Sequence, residues 1–545
     1  MIETQEDKAL LKHCLNKDYV SCAKINIRRQ LQGRLPDTDL NTQVFFLSHL
    51  KPSDVDAQTR RALLQLLELD SLDVSRLTAL LGQILVDELN ADADNLIEQS
   101  LKNDLLKPFL KSMLCSNIAL EHLLSKLRHA LLMKLGAEGA LNHGEIDLAS
   151  HLLLQLIKNE YLWAVSPIEQ ELVQGLHQLL LLSSKQPAWE PEKSNLLILM
   201  LALYMPLEEL WQNYQLYEFS RQQWPNILLP ALALTVQAKL HEARLRETIP
   251  SYMDSLSAVS AKVQAQYEQH PYPRWQRLRL DKAQTSKAYF NKTLPGARFS
   301  FLDNKRVDIL VAGCGTGSQP LSLAAQLTNT HVTAIDLSLA SLSYGKRMSE
   351  KLRIDNVDFA QVDLLDAACL KQDFDFVVCS GVLHHLNDPL QGWQVLTRLL
   401  RDGGVMSIAL YSAIARAEIR RQRAFVHQAG LSSSASDIKK YRQVLMQREP
   451  DSTITQCRDF WSLSECRDLI FHECEHQYSW LGVKEALDKL GLKLLKVEAP
   501  EASLAQFDRA FPETGARLKL ENWHEFEKTA PSTSIGMYHF WCEKR

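Results

Sequence analysis

The sequence predicts a multidomain protein: an all-α N-terminal domain, then an α/β domain built on an open parallel sheet that a helical insertion interrupts late. Three observations predict it. From about Leu10 to Pro250 apolar residues recur at helical spacing, and from Arg306 onward short apolar runs alternate with helical stretches. The 545 residues also exceed what one core holds, so several domains are expected.

In the first half, Leu120, Leu123, Leu124, Leu127 and Leu131 fall on one face of a helix. Ser166-Pro167-Ile168-Glu169 reads as a capping box with Pro at the first helical position, and Leu172, Leu176, Leu179 and Leu180 are expected to form the buried stripe that follows. The stretch from Lys185 to Pro191 breaks the series. No fixed period recurs, so an irregular bundle is expected rather than a solenoid. The all-helical domain is placed at 1–250, a connecting segment at 251–300 and the α/β domain at 301–545, with the insertion at about 412–480.

Within the connecting segment, Gln266 to Trp275 carries two prolines that forbid a continuing helix. Expected strands follow at Val307–Ala312, His331–Ile335, Val357–Val362, Phe374–Ser380 and Val405–Tyr411. Helices are expected at Leu339–Arg353 and at Pro389–Arg401, where Leu390, Trp393, Leu396 and Leu400 face inward and Gly403-Gly404 ends the helix. After the insertion come a helix at Val483–Leu490 and strands at Leu492–Val497 and Ile535–Cys542.

Composition narrows the function. Charged residues are 23% and hydrophobic residues 46%, the balance of a folded soluble chain, and the net charge of −4 argues against a strongly basic nucleic-acid binder. The longest apolar run, Leu196 to Met205, stops at Pro206 and is too short to cross a bilayer. Glu3, Glu6 and Asp7 are foreign to a secretory signal peptide, and ten scattered Cys show no pairing pattern. A cytoplasmic protein is expected, with no membrane partner.

The most informative stretch runs from Val307 to Pro320. A buried strand enters the glycine-rich turn Gly313-Cys314-Gly315-Thr316-Gly317, then a helix with Pro320 in its first turn. Glycines there let the backbone come close to a ligand. Nineteen residues after Gly317, Asp336 ends the second strand, followed by Leu337, placed to accept hydrogen bonds from ribose hydroxyls. Asp363 and Leu364 end the third, a pairing suited to an adenine edge and face, and Gly381-Val382-Leu383-His384-His385-Leu386 follows the fourth. A nicotinamide-dependent oxidoreductase fits less well, because its fingerprint spaces the glycines as Gly-x-Gly-x-x-Gly.

Together these residues resemble the class I S-adenosylmethionine-dependent methyltransferases, over roughly Gln266 to Tyr411 and from Val483 on. The resemblance implies a Rossmann-like, seven-stranded sheet whose final strand runs antiparallel. More narrowly, the chain is similar to bacterial proteins that join a helical N-terminal half to such a domain through a Tyr-Glu-x-x-Pro-Tyr-Pro-Arg-Trp segment, here Tyr267 to Trp275. It implies that Gly313, Cys314, Gly315, Thr316 and Gly317 line the methionine part of S-adenosylmethionine, Asp336 and Leu337 its ribose, and Asp363 and Leu364 its adenine. Gly381 lies nearby, and its backbone carbonyl or that of Gly313 can hold the amino group. The family often places an acid for that purpose where this chain has Val311.

Methyl transfer is an in-line displacement, so alignment and water exclusion supply most of the rate, and a base is needed only when the acceptor sheds a proton. His385 is the candidate base, against a structural role for it and His384. Tyr267, Tyr272, Arg274 and Trp275 stand where related enzymes place a lid. Tyr267 could meet the sulfonium and Arg274 the cofactor carboxylate, against a packed connector. His472-Glu473-Cys474-Glu475-His476 spells a zinc-hydrolase motif if helical, but no third ligand stands at that spacing, and no metal is expected. Arg416, Arg420, Arg421 and Arg423 read as a solvated helix face, with contact to an acidic acceptor or RNA as the sharper alternative. The expected function is methyl transfer to an unidentified acceptor. The bulk of added helix favours protein over a small metabolite and allows a homo-oligomer; nucleic acid is not expected. The alternatives are a small-metabolite methyltransferase and a cofactor-binding interaction module without catalysis.

Overall fold

The computed structural model describes residues 5–89, 95–214, 223–253, 258–304, 306–531 and 536–545. The chain forms two compact units: Met1–Lys239 with Gln276–Arg279 and Ser433–Cys466, and Leu240–Trp275 with Leu280–Ser432 and Arg467–Arg545. The division thus falls before the boundary expected at 250, and half of the insertion belongs to the helical unit.

The first unit is helical. Ile118–Glu138 buries the five leucines of its predicted face, and its N-cap Asn117 accepts from Leu120 N–H. Pro167–Ser184 starts with the predicted capping box, Ser166 and Glu169 each bonding the other's backbone N–H. Its predicted stripe is corrected: Leu180 is buried, but Leu179 is 52% exposed. Segment 433–466 is tied in by Arg442, which donates Nη1 and Nη2 to Glu121 at 3.1 and 2.9 Å and Nε to the Phe460 carbonyl at 2.9 Å, all in the interior. An Arg fork can enter an apolar interior only with its donors matched in this way.

The second unit holds a seven-stranded sheet: β1 (Val307–Ala312), β2 (Thr330–Asp336), β3 (Val357–Gln361), β4 (Phe374–Ser380), β5 (Leu400–Tyr411), β6 (Leu492–Glu498) and β7 (Met537–Lys544). Their order is β3-β2-β1-β4-β5-β7-β6, with β1 to β5 parallel and β7 antiparallel to both neighbours, as the resemblance implies. Every residue of β1 is buried, which explains its unbroken apolar run, Asp308 apart. Of the last predicted strand, Ile535 lies outside the described residues.

One predicted boundary is corrected here. The helix expected to run to Arg401 is Pro389–Leu399, and Gly403-Gly404 sits inside β5 rather than ending a helix. A Cβ on Gly404 would stand 2.8 Å from the Arg401 carbonyl and 3.0 Å from that of Asp375, so glycine is required by close strand approach. Two helices, Glu501–Ala510 and Leu520–Thr529, separate β6 from β7. The His472–His476 segment is irregular, following the helix Leu463–Phe471, so its two histidines do not share a helix face. No helix among the described residues is long and apolar enough to cross a membrane.

Candidate functional site

The strand order reverses direction between β1 and β4, and open parallel sheets bind ligands beyond the carboxyl ends of the strands at such a point. A cavity of about 330 Å³ opens there, at the lower end of small-ligand sites. Of the residues singled out in the sequence, Tyr267, Gly313, Cys314, Gly315, Asp336 and Leu337 line it, as do Asp363, Leu364, Gly381 and His385. Thr316, Gly317 and Arg274 do not.

The glycine-rich turn is shaped largely by the protein itself. Gly313, Gly315 and Gly317 have φ of +67°, +53° and +84°. A Cβ on Gly313 would strike Val382 at 2.2 Å, and one on Gly315 the Tyr272 carbonyl at 2.6 Å. Thr316, fully buried, clasps the connecting segment instead of facing the cavity. Its hydroxyl donates to the Pro273 carbonyl, its N–H to the Tyr272 carbonyl at 3.3 Å, and its carbonyl accepts from Trp275 Nε1 at 3.2 Å. Gly317 opens the helix Ser318–Gln326 against Gly345. Tyr272 and Pro273 reach the cavity, while the turn that draws Trp275 inward leaves Arg274 exposed and outside the cavity lining. The segment is thus both connector and wall.

Asp336 is set by the same turn. Its Oδ2 accepts from Gly315 N–H at 2.8 Å and its Oδ1 from Ser338 N–H at 2.9 Å. Burial raises its pKa, against which these backbone donors pull down. Each oxygen keeps lone-pair capacity toward the cavity. Asp363 uses Oδ1 to accept from Leu365 N–H at 3.0 Å. Cys314 is buried, and burial holds its thiol well above the usual range, so it is an unreactive wall.

Opposite stand groups that the sequence did not connect. Tyr267 donates its hydroxyl to Asp468 Oδ1 at 2.6 Å, across 201 positions of chain. Asp468 also lines the cavity, and burial raises its pKa. The His385 ring stacks on His472 with centroids 3.7 Å apart and planes at 25°. Its Nδ1 bonds the Cys474 carbonyl at 2.7 Å, whereas His472 Nδ1 accepts from Cys474 N–H at 3.1 Å. Burial lowers the pKa of His384, His385 and His472, so all three favour the neutral form. His384 is structural: its Nδ1 accepts from Tyr411 N–H at 3.3 Å and its ring stacks on Tyr411.

The arginine cluster divides: Arg416 is buried and Arg423 half-buried, correcting the solvated-face reading for these two, while Arg420 and Arg421 are exposed as expected. Arg416 is buried over the Tyr411 ring and grips Glu475 with two bonds, at 2.9 and 2.7 Å. Although burial opposes it, this fork holds the Glu475 carboxyl below the usual range. Arg423 donates to the His472 carbonyl at 2.7 Å, Arg420 to the Ala413 carbonyl and Gln477, and Arg421 pairs with Glu418. Together with His476 N–H, bonded to the His384 carbonyl at 2.7 Å, these contacts hold residues 472–477 against the segment that follows β4.

Comparison with known proteins finds partial matches. Residues 303–455 match the family model described as a methyltransferase domain. An uncharacterized protein of Synechococcus sp. is 31% identical over 200 residues, 35% of this chain and 48% of that protein. A malonyl-[acyl-carrier protein] O-methyltransferase of Acetivibrio thermocellus is 29% identical over 119 residues, 22% of this chain and 41% of that one. The chain spans less than half the length of these curated relatives. Among solved structures, PKMT2 from Rickettsia typhi in complex with AdoHcy aligns with a TM-score of 0.38 at 16% identity, over 48% of this chain and 53% of that one. By the family-model match the chain carries a methyltransferase domain over residues 303–455.

Proposed function

We propose that this chain transfers a methyl group from S-adenosylmethionine, bound in the crevice between β1 and β4, to an acceptor that enters beside His385, with protein favoured over a small metabolite. The observation that carries the reading is the convergence on one cavity of the glycine turn, Asp336 and Asp363 from three successive strand ends. The crevice suits such a ligand in its details. Gly381 has a φ of +77° and nothing within 4 Å of where a Cβ would stand, so the wall is open there. Ser341 Oγ, on a residue that also lines the cavity, is buried without a hydrogen-bond partner, an orphan that a polar ligand would satisfy. Val311 is buried within β1 and offers no carboxylate, which leaves the ligand's amino group to backbone carbonyls.

When bound, the cofactor supplies an electrophilic methyl on a sulfonium. The protein's part is to grip the nucleoside through Asp336 and Asp363, to exclude water with Tyr267, Tyr272 and Pro273, and to hold the acceptor in line. The bulk of helix that the chain adds to the methyltransferase domain supports a macromolecular acceptor. Incubating the protein with methyl-tritiated cofactor and a cell lysate tests the reading. Label in a protease-sensitive fraction is expected; label confined to small molecules or nucleic acid contradicts the acceptor class, and none at all contradicts the activity.

A further inference from the structure

His385 and Asp468 line the cavity, and His472 stacks on His385 just outside its lining; one nitrogen of each histidine and a carboxylate oxygen of Asp468 lie within 4.8 Å of one another, all three residues buried. Two histidines and a carboxylate are a familiar metal set, yet the bonding here points elsewhere. Metal-ligating imidazoles donate their second N–H to a neighbour. His472 does the reverse, since its Nδ1 accepts from Cys474 N–H, so in the neutral ring Nε2 carries the hydrogen. The His385 and His472 rings are stacked, with centroids 3.7 Å apart and planes at 25°.

The hydrogen-bond pattern defines what fits. His385 gives its Nδ1–H to the Cys474 carbonyl, so its Nε2 is a bare lone pair, on a residue that lines the cavity. The Nε2–H of His472 is a buried donor without a partner. Asp468, steadied by the Tyr267 hydroxyl, is a second acceptor. One orphaned donor set among acceptors calls for a group with a single hydrogen and two lone pairs. Resting on the methyltransferase reading, we propose that this triangle seats the reacting hydroxyl of an alcohol or phenol acceptor, with His385 as its base. A carboxylate acceptor would meet Asp468 as a like charge. A neutral amine would spend its only lone pair on His472, leaving none for the methyl.

The step balances. The hydroxyl oxygen accepts from His472 Nε2–H with one lone pair and forms the O–C bond with the other, while the methyl–sulfur pair stays on sulfur. The hydroxyl proton passes to His385 Nε2, and the resulting imidazolium sits beside Asp468. His472 and Tyr267 are positioning residues in this scheme.

Three readouts test it. First, ¹⁵N NMR of the ligand-free protein should show His385 as the Nδ1–H tautomer and His472 as the Nε2–H tautomer; any other assignment, or one equivalent of tightly bound zinc by elemental analysis, overturns the proposal. Second, label transferred from methyl-tritiated cofactor should be released as volatile methyl iodide by hydriodic acid while resisting mild base. Non-volatile label would mean an N- or C-methyl product, and base-labile label a methyl ester; either sinks the hydroxyl assignment and leaves the methyltransferase reading intact. Failure of both cofactor binding and transfer would instead sink that reading, and the proposal with it. Third, His385→Gln should lower turnover about 100-fold or more with cofactor affinity retained, and Tyr267→Phe, the gentler variant, should lower kcat more than it raises KM. Unchanged turnover in a folded His385→Gln protein overturns the proposal; binding without transfer leaves the decision to the tautomers.

Discussion

Replacing Asp336 by Asn isolates the grip on the nucleoside. Both carboxylate oxygens accept a backbone N–H, Oδ2 from Gly315 and Oδ1 from Ser338. An amide of the same shape has one oxygen, so one of these donors faces an NH₂ group. Two costs follow. Leaving one N–H of the turn opposed destabilises the folded unit by about 1–3 kcal/mol. A ribose hydroxyl that donates to a charged oxygen loses a bond worth about 1.5–3 kcal/mol, which is roughly a 10- to 100-fold weaker Kd for S-adenosylmethionine. Isothermal titration of wild type and Asp336→Asn, with melts of both to separate folding from binding, measures this directly. If the variant is folded and binds with wild-type affinity, Asp336 serves only the turn, and the assignment of the ribose to β2 is wrong.

Other consequences are equally open to measurement. Gly315→Ala must place a Cβ 2.6 Å from the Tyr272 carbonyl at a φ of +53°; left-handed backbone alone costs about 1–2 kcal/mol, so thermal melts should show a destabilised protein with impaired cofactor binding. Glu121→Ala should destabilise the helical unit by about 3–5 kcal/mol in denaturant titrations, because it strands the buried Arg442 guanidinium, whereas a paired Glu121→Leu, Arg442→Met change should cost less. Acid should unfold the α/β unit early. His384, His385 and His472 have depressed pKa values, so below about 6.5 the unfolded chain binds protons that the native one refuses. Stability should therefore fall with pH by as much as about 4 kcal/mol per unit for three such groups. Arg416 adds to this around His385, Glu475 and Asp468 oppose it, and the raised pKa values of Asp336 and Asp468 return some stability at lower pH. A flat circular-dichroism stability profile between pH 7 and 5.5 would contradict the neutral histidines.

Most of the sheet was legible because its strands are short apolar runs that end at signposts: β1 at Gly313, β2 at Asp336, β4 at Gly381. The start of β5 was not. Leu396, Leu399 and Leu400 continue a helical period, and only strand pairing, Phe374 with Leu400, converts the last of them to extended chain. Within the site, the cavity-facing role of Asp336 and His385 follows from strand ends, which sequence marks well. Asp468 carries no such mark, since its helix sits 201 positions from the Tyr267 it bonds. Arg416 and Arg423 looked like surface because four arginines crowd eight positions, but their anion, Glu475, is some fifty residues away. The His472–His476 letters suggested a helix, and long-range bonds to His384 and His385 hold them irregular instead. Local pattern encodes the scaffold here, and tertiary hydrogen bonding decides the acceptor end.

The central claim is that the sulfonium donor lies along the turn from Gly313 to Gly317 with its nucleoside held by two carboxylates. A crystal structure with S-adenosylhomocysteine measures that most directly. The account predicts ribose hydroxyls on Asp336, adenine between Asp363 and Leu364, and sulfur facing His385. Density for the nucleoside elsewhere, or an empty crevice at saturating ligand, would contradict it.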